Sequence, residues 1–168
     1  MKPSIRAAAF AAAIALSGAS FAQSRFIQAE LVNPIKTKKA KVGDPVKARS
    51  AAGGTLPNGA QIHAGAILLG QLRSVESNAV TITFDEVDTD GKKAPLKLSI
   101  RAAMMPAAPG HSGGRPSEAV AAQAGAVIGL DGVTLQVDDS PAAASKFQAS
   151  QGELKLDKGL QLMLAPPQ

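Results

Sequence analysis

Few side chains in this 168-residue chain could do covalent chemistry. Two histidines and no cysteine exclude thiolate nucleophiles, thiolate metal sites and disulfides. The most literal catalytic pattern is Gly-His-Ser-Gly-Gly, Gly110 to Gly114. It matches G-x-S-x-G, which sets a serine hydroxyl on a sharp strand-to-helix turn within reach of a histidine base. That arrangement places the base after the nucleophile in the chain, and no histidine follows Ser112. Pro106 and Pro109 also stand where a buried parallel strand would have to end. His111 adjoins the serine and would point elsewhere, and His63 lies upstream. The pattern therefore reads as a Gly/Ser-rich loop. A serine hydrolase acting through Ser112 is kept as the remote alternative.

Metal chemistry has equally thin support. A zinc site wants three or four ligands, and two histidines would leave most of the set to carboxylates. Asp85 to Gly91, DEVDTDG, opens like a calcium loop. Counted from Asp85, however, the sixth position is Asp90 rather than Gly, and the twelfth is Leu96 rather than a bidentate Glu. A hairpin turn at Asp90-Gly91 explains the same residues. No metal, cofactor or catalytic residue is expected.

What remains is charge. IKTKKAKVGDPVKARS, residues 35 to 50, carries Lys36, Lys38, Lys39, Lys41, Lys47 and Arg49 with a single acid, Asp44. Such a strip suits an anionic partner, either a cell-envelope polymer or another envelope protein, attracted over a salt-screened distance. The plainer reading, and the one that comes first, is a solvated sheet edge, where lysines discourage edge-to-edge pairing. Nucleic acid is not expected, because the chain has no Trp and no Tyr on which bases could stack.

The elements that must carry this strip show period two. In Ala79 to Asp85, Val80, Ile82 and Phe84 share one face and Thr81 and Thr83 the other. In Pro95 to Arg101, Leu96, Leu98 and Ile100 face inward and Lys97, Ser99 and Arg101 outward. With Asp90-Gly91 between them, these segments make an antiparallel hairpin. Further strands are expected at Arg25 to Val32, Val46 to Ala51, Ala66 to Glu76 with a bend at Gly70, Val133 to Val137, and Leu160 to Leu164. Val46, Ala48 and Ser50 share the inner face, which turns Lys47 and Arg49 to solvent. Residues 104 to 124 interrupt the pattern as a flexible loop, with Ser117 placed to cap a short helix through Gln123. Met104 and Met105 beside that loop offer an adaptable apolar contact or strand-end packing. Residues 138 to 152 form a second long loop with a helical turn at Ala142 to Phe147. The fold class expected is all-β: a small antiparallel β-barrel or sandwich of about six to eight short strands with two long loops and a short helix.

The first 22 residues read as an export signal. Lys2 and Arg6 precede an apolar run, Ala7 to Leu16, which is too short to span a bilayer at about 20 residues. Ser20-Phe21-Ala22 then supplies small residues for cleavage before Gln23. Residues 23 to 168 are expected to form one domain, periplasmic or secreted, with no transmembrane segment after cleavage. Loss of Lys2 and Arg6 takes the net charge from +5 to about +3.

Five short motifs, in order, resemble a group of small secreted bacterial barrel proteins. They are Lys41-Val42-Gly43-Asp44-Pro45-Val46-Lys47-Ala48, Leu56-Pro57-Asn58-Gly59, Ala64-Gly65-Ala66-Ile67-Leu68-Leu69-Gly70, Phe84-Asp85-Glu86-Val87, and Leu156-Asp157-Lys158-Gly159-Leu160-Gln161-Leu162. The middle portion is also distantly similar to the barrel of conjugal-transfer channel proteins of the TrbI type. The resemblance implies architecture and supplies no catalytic residues. The expectation is a non-enzymatic exported barrel, a structural or binding component of the envelope or extracellular space. The alternative is a soluble accessory subunit of an envelope secretion or transfer apparatus.

Overall fold

A computed structural model describes residues 25–106, 123–140 and 142–167. Among them are thirteen strands and no helix. The barrel wall uses β1 (Ile27–Leu31), β3 (Pro45–Ser50), β6 (Ile67–Val75), β7 (Ala79–Thr89), β8 (Lys92–Met104) and β13 (Gln161–Ala165). These pair antiparallel in the ring β7-β6-β3-β1-β13-β8, and β8 returns to β7 to close it. Shorter strands decorate the wall: β2 (Ile35–Lys36), β4 (Gly54–Thr55), β5 (Gln61–Ile62), β9 (Ala126–Ile128), β10 (Val133–Val137), β11 (Ser145–Ala149) and β12 (Lys155–Leu156). The expected leader, the Gly110–Gly114 pattern and the Ser117 cap lie outside the described residues.

Alternation builds the wall. Val46, Ala48 and Ser50 of β3 are buried while Pro45, Lys47 and Arg49 are exposed. Val80, Ile82, Phe84, Leu96, Leu98 and Ile100 are all buried in the main core. The β7–β8 turn falls on Asp90 and Gly91, whose φ values are 53° and 81°. Two successive positive φ angles match the right-handed strand twist at a two-residue turn. The Gly91 N–H donates to Asp88 Oδ1 at 2.9 Å. Gly70 marks a register shift in the β6–β7 ladder. A Cβ there would lie 2.0 Å from the Thr83 carbonyl oxygen, so the bend requires glycine.

One face of the hairpin departs from expectation. Ser99 and Arg101 are buried rather than outward. In the β13–β8 ladder, Leu164 faces Ile100 while Met163 faces Ala102. Arg101 is thus an extra residue on β8, and the alternation slips there. The outer face of this stretch is itself covered: Ala102 and Met163 form a second small cluster with Phe26 and Ala126. Thr83 does lie on the outer face, but it is buried beneath a polar network. Its hydroxyl accepts from Arg73 Nε at 3.2 Å and donates to Asp85 Oδ2 at 3.1 Å.

The hairpin also forks. β7 and β8 pair only between Phe84–Thr89 and Lys92–Leu98. Past that point β11 takes over the edge of β7, and β9 lies parallel to β8. Ser145 sits at the crotch of the fork. Its Oγ accepts from the Ile100 N–H at 2.7 Å and donates to the Ile100 carbonyl at 3.3 Å, which satisfies backbone groups that lose their ladder partner there. Arg101 Nη1 pairs with Asp139 in the loop between β10 and β11. The helical turn expected at Ala142 to Phe147 is not formed. Ala143 adopts a positive φ of 50°, and β11 begins at Ser145. Ser145, Phe147 and Ala149 are buried in strict alternation, so ladder pairing outweighs the helix preference of the preceding alanines.

The barrel therefore has a narrow end, closed by β7–β8 pairing, and a wide end, where β9, β10 and β11 widen the fork. The β4–β5 ladder, with Leu56 and Ile62 buried, covers the narrow end. The β2–β12 ladder covers the wide end. There Ile35, Leu154 and Leu156 enter the core. Thr37 donates its N–H to the Leu154 carbonyl at 3.1 Å and its hydroxyl to the Ser77 carbonyl at 2.7 Å.

Candidate functional site

The six basic residues of the 35–50 strip occupy two surfaces. Lys47 and Arg49 stand on the outer wall of β3. That strand runs between β1 and β6 within the closed ring, so the sheet-edge explanation for its cations falls. Arg49 faces Glu30 across the β1–β3 ladder, an opposite-charge pairing that blunts the wall's positive field.

Lys36, Lys38, Lys39 and Lys41 stand instead on the wide-end cap, all exposed. Local turns fix their spacing. Lys39 and Ala40 donate their N–H groups to the Lys36 carbonyl at 2.9 Å each. The Lys41 N–H donates to Asp44 Oδ2 at 2.8 Å, so the strip's only acid serves the backbone. Gly43 donates to the Leu72 carbonyl at 2.8 Å, and Leu72 donates to the Asp44 carbonyl at 3.0 Å. These two bonds tie the loop to β6. Buried Ile35 and Thr37 alternate with the lysines and hold the cap down while the amines stay in water.

The fold adds a lysine that the strip did not contain. Lys155 of β12 lies opposite Lys36 in the ladder. Glu153 is the nearby counter-charge, 3.6 Å from Lys38 Nζ and 3.9 Å from Lys155 Nζ. One carboxylate is thus shared by two amines. The sequence signal for Lys155 was available in the buried Leu154 and Leu156 flanking it, but a two-residue strand shows no period by itself.

Two clefts flank the cap. One, of about 450 Å³, is lined by Asn33, Pro34, Lys36, Lys39 and Asp44 among others. The other, of about 700 Å³, runs along Thr37, Lys38, Asn78, Gln151 and Glu153. The lysines therefore straddle β2 and give each cleft at least one amine. Val42 projects at the tip of the same loop, 66% exposed.

The remaining candidates do not converge. His63 is exposed after β5. Among the described residues no three His, Asp or Glu side chains form a group that could hold a metal ion. The DEVDTDG carboxylates serve the hairpin: Asp85 pairs with Arg73 at 3.3 Å, Glu86 with Lys93 at 3.6 Å, and Asp88 caps the turn. Met105 is partly buried against the main core. Ser112 and His111 lie outside the described residues. No helix among the described residues is long and apolar enough to cross a membrane. Compared with protein-family models, curated proteins and solved structures, the chain finds no match.

Proposed function

We propose that this chain is a non-enzymatic, exported β-barrel module that docks an anionic polymer of the cell envelope on its wide-end cap. The observation that carries the reading is the cap itself. Lys36 of β2, Lys38, Lys39 and Lys41 of the loop after it, and Lys155 from a distant strand are exposed together on a segment pinned by buried side chains, with Glu153 as the counter-charge shared by Lys38 and Lys155. Convergent amines on a rigid base raise the local concentration of polyanions and speed their capture. The two flanking clefts give an extended polymer a path on either side of β2.

The second reading is an accessory subunit of an envelope secretion or transfer apparatus, with an acidic protein as partner. Exposed Val42 among the lysines favours it, because an apolar tip suits a protein surface better than a hydrated polymer.

The test is retention of the chain starting at Gln23 on an immobilised uronic-acid polysaccharide at rising salt. Wild-type protein should be held at low ionic strength and released near physiological salt, where the screening length falls to about 8 Å. Changing Lys36, Lys38, Lys39 and Lys41 together to Gln should abolish retention. Retention that ignores both salt and these substitutions overturns the reading.

A further inference from the structure

A third cleft lies away from the lysine cap, at the rim of the narrow end. It measures about 570 Å³ and is lined by Phe26, Pro57, Ala165, Pro166 and Pro167 with two cations, Arg25 and Arg101. Its make-up is that of a small-molecule site, mostly apolar walls with a few placed polar groups. Three strands and a cap converge to make it. β1 begins beside it, β13 ends in it, Pro57 comes from the β4–β5 turn, and Arg101 is the extra residue of the β8 bulge.

Arg101 is the unusual member. It is 7% exposed, and its Nε is sealed from solvent without a hydrogen-bond acceptor. Its carboxylate partner, Asp139, is itself 45% exposed and takes Nη1 from the side of the β10–β11 loop. Asp139 is not part of the cleft wall. Nη1 is committed to Asp139 and Nε is sealed inside the protein, so of the five guanidinium N–H donors those on Nη2 are left for a ligand in the cleft. The described lining brings two positive charges and no negative one.

We infer that this cleft binds a carboxylate carried on an apolar body, with Arg101 taking the carboxylate, Arg25 closing over it at the exposed rim, and Phe26 and the prolines packing the apolar part. A carboxylate oxygen accepting from Arg101 Nη2 and from the Arg25 guanidinium makes charge-assisted hydrogen bonds, which are stronger than neutral ones. The proline walls are preformed, so little ordering opposes entry. The same chemistry is offered by a free organic acid and by the C-terminus of a peptide.

The experiment titrates the isotopically labelled chain from Gln23 onward with two probes, hexanoate and N-acetyl-Ala-Ala-Leu as its free acid. Hexanol and the tripeptide amide serve as neutral controls. The acids should shift the amide resonances of Phe26 and Ala165 saturably, and the neutral controls should not. Tighter binding of the peptide acid than of hexanoate assigns the peptide source, and the reverse order assigns the free acid. Arg25→Gln should weaken the better acid about two- to fivefold, as expected of an exposed charge. Arg101→Lys keeps the charge but withdraws the Nη2 donors from the cleft, and should weaken it at least about tenfold. Because Arg101 also holds Asp139, the melting temperature of that variant is measured alongside, and Arg25→Gln decides the matter if Arg101→Lys does not fold. Equal binding of acid and neutral control overturns the inference. So does indifference to Arg25→Gln, a set of shifts confined to the lysine cap, or the absence of any shift with either acid.

Discussion

The two halves of the β7–β8 hairpin obey different rules. Its distal half, from Phe84 to Leu98 around the turn, pairs with itself and needs only alternation and Asp90-Gly91 to form. Its proximal half separates, and each strand finds partners far away in the chain: β11 for β7, and β13 and β9 for β8. The distal half is held by local chemistry. The proximal half is held by a buried hydroxyl, a bulge and an ion pair, none of which a pattern of apolar residues announces.

The contrast can be broken by mutation. The largest effect is expected for Phe147→Ala, since Phe147 is fully buried where β11 enters the fork. It should lower stability by about 3–5 kcal/mol, measured by denaturant unfolding. Phe84→Ala should be similar in size, but hydrogen exchange should separate them. Loss of Phe147 should first expose amides of β10 and β11, whereas loss of Phe84 should loosen the whole ring. Ser145→Ala comes next. It leaves the buried Ile100 N–H without its acceptor and should cost about 1–3 kcal/mol, with faster exchange at Ile100. Val in place of Ser145 should not restore it.

Gly91→Ala at the distal turn should cost about 1–2 kcal/mol. The residue has a positive φ of 81°, and nothing lies within 4 Å of an added Cβ, so strain is the whole effect. The smallest effect is expected at the cap. Replacing Lys36, Lys38, Lys39 and Lys41 by Gln should change stability by less than about 1 kcal/mol, because the amines are exposed and, among the described residues, Lys38 alone of the four makes an ion pair, with Glu153 at 3.6 Å. A large loss of stability there would mean that the lysines hold the cap down rather than present charge.

Legibility followed the same division. The distal hairpin and the alternation of β3 were readable because each rests on near neighbours in the chain; the bend at Gly70 was readable from the glycine itself, although its cause, the Thr83 carbonyl, lies on β7. Ser99 and Arg101 were misread as outward because their burial depends on a bulge opposite Met163 and Leu164 and on cover supplied by distant strands. Ala142 to Phe147 looked helical from its alanines, while the deciding partner was Ile82-to-Ala79 of β7. The lysine strip was visible at once, but its division was not. The β2–β12 ladder joins residues more than a hundred positions apart, and only that ladder separates the cap lysines from Lys47 and Arg49 on the wall.

The division of the strip is also where the functional account is most exposed. Hydrogen exchange of the chain from Gln23 onward, with and without the uronic-acid polymer at low salt, measures which surface the polymer covers. Slowed exchange should be confined to residues 33–44 and 150–158 of the wide-end cap. Protection of the β3 wall with the cap unchanged, or none anywhere, would contradict it.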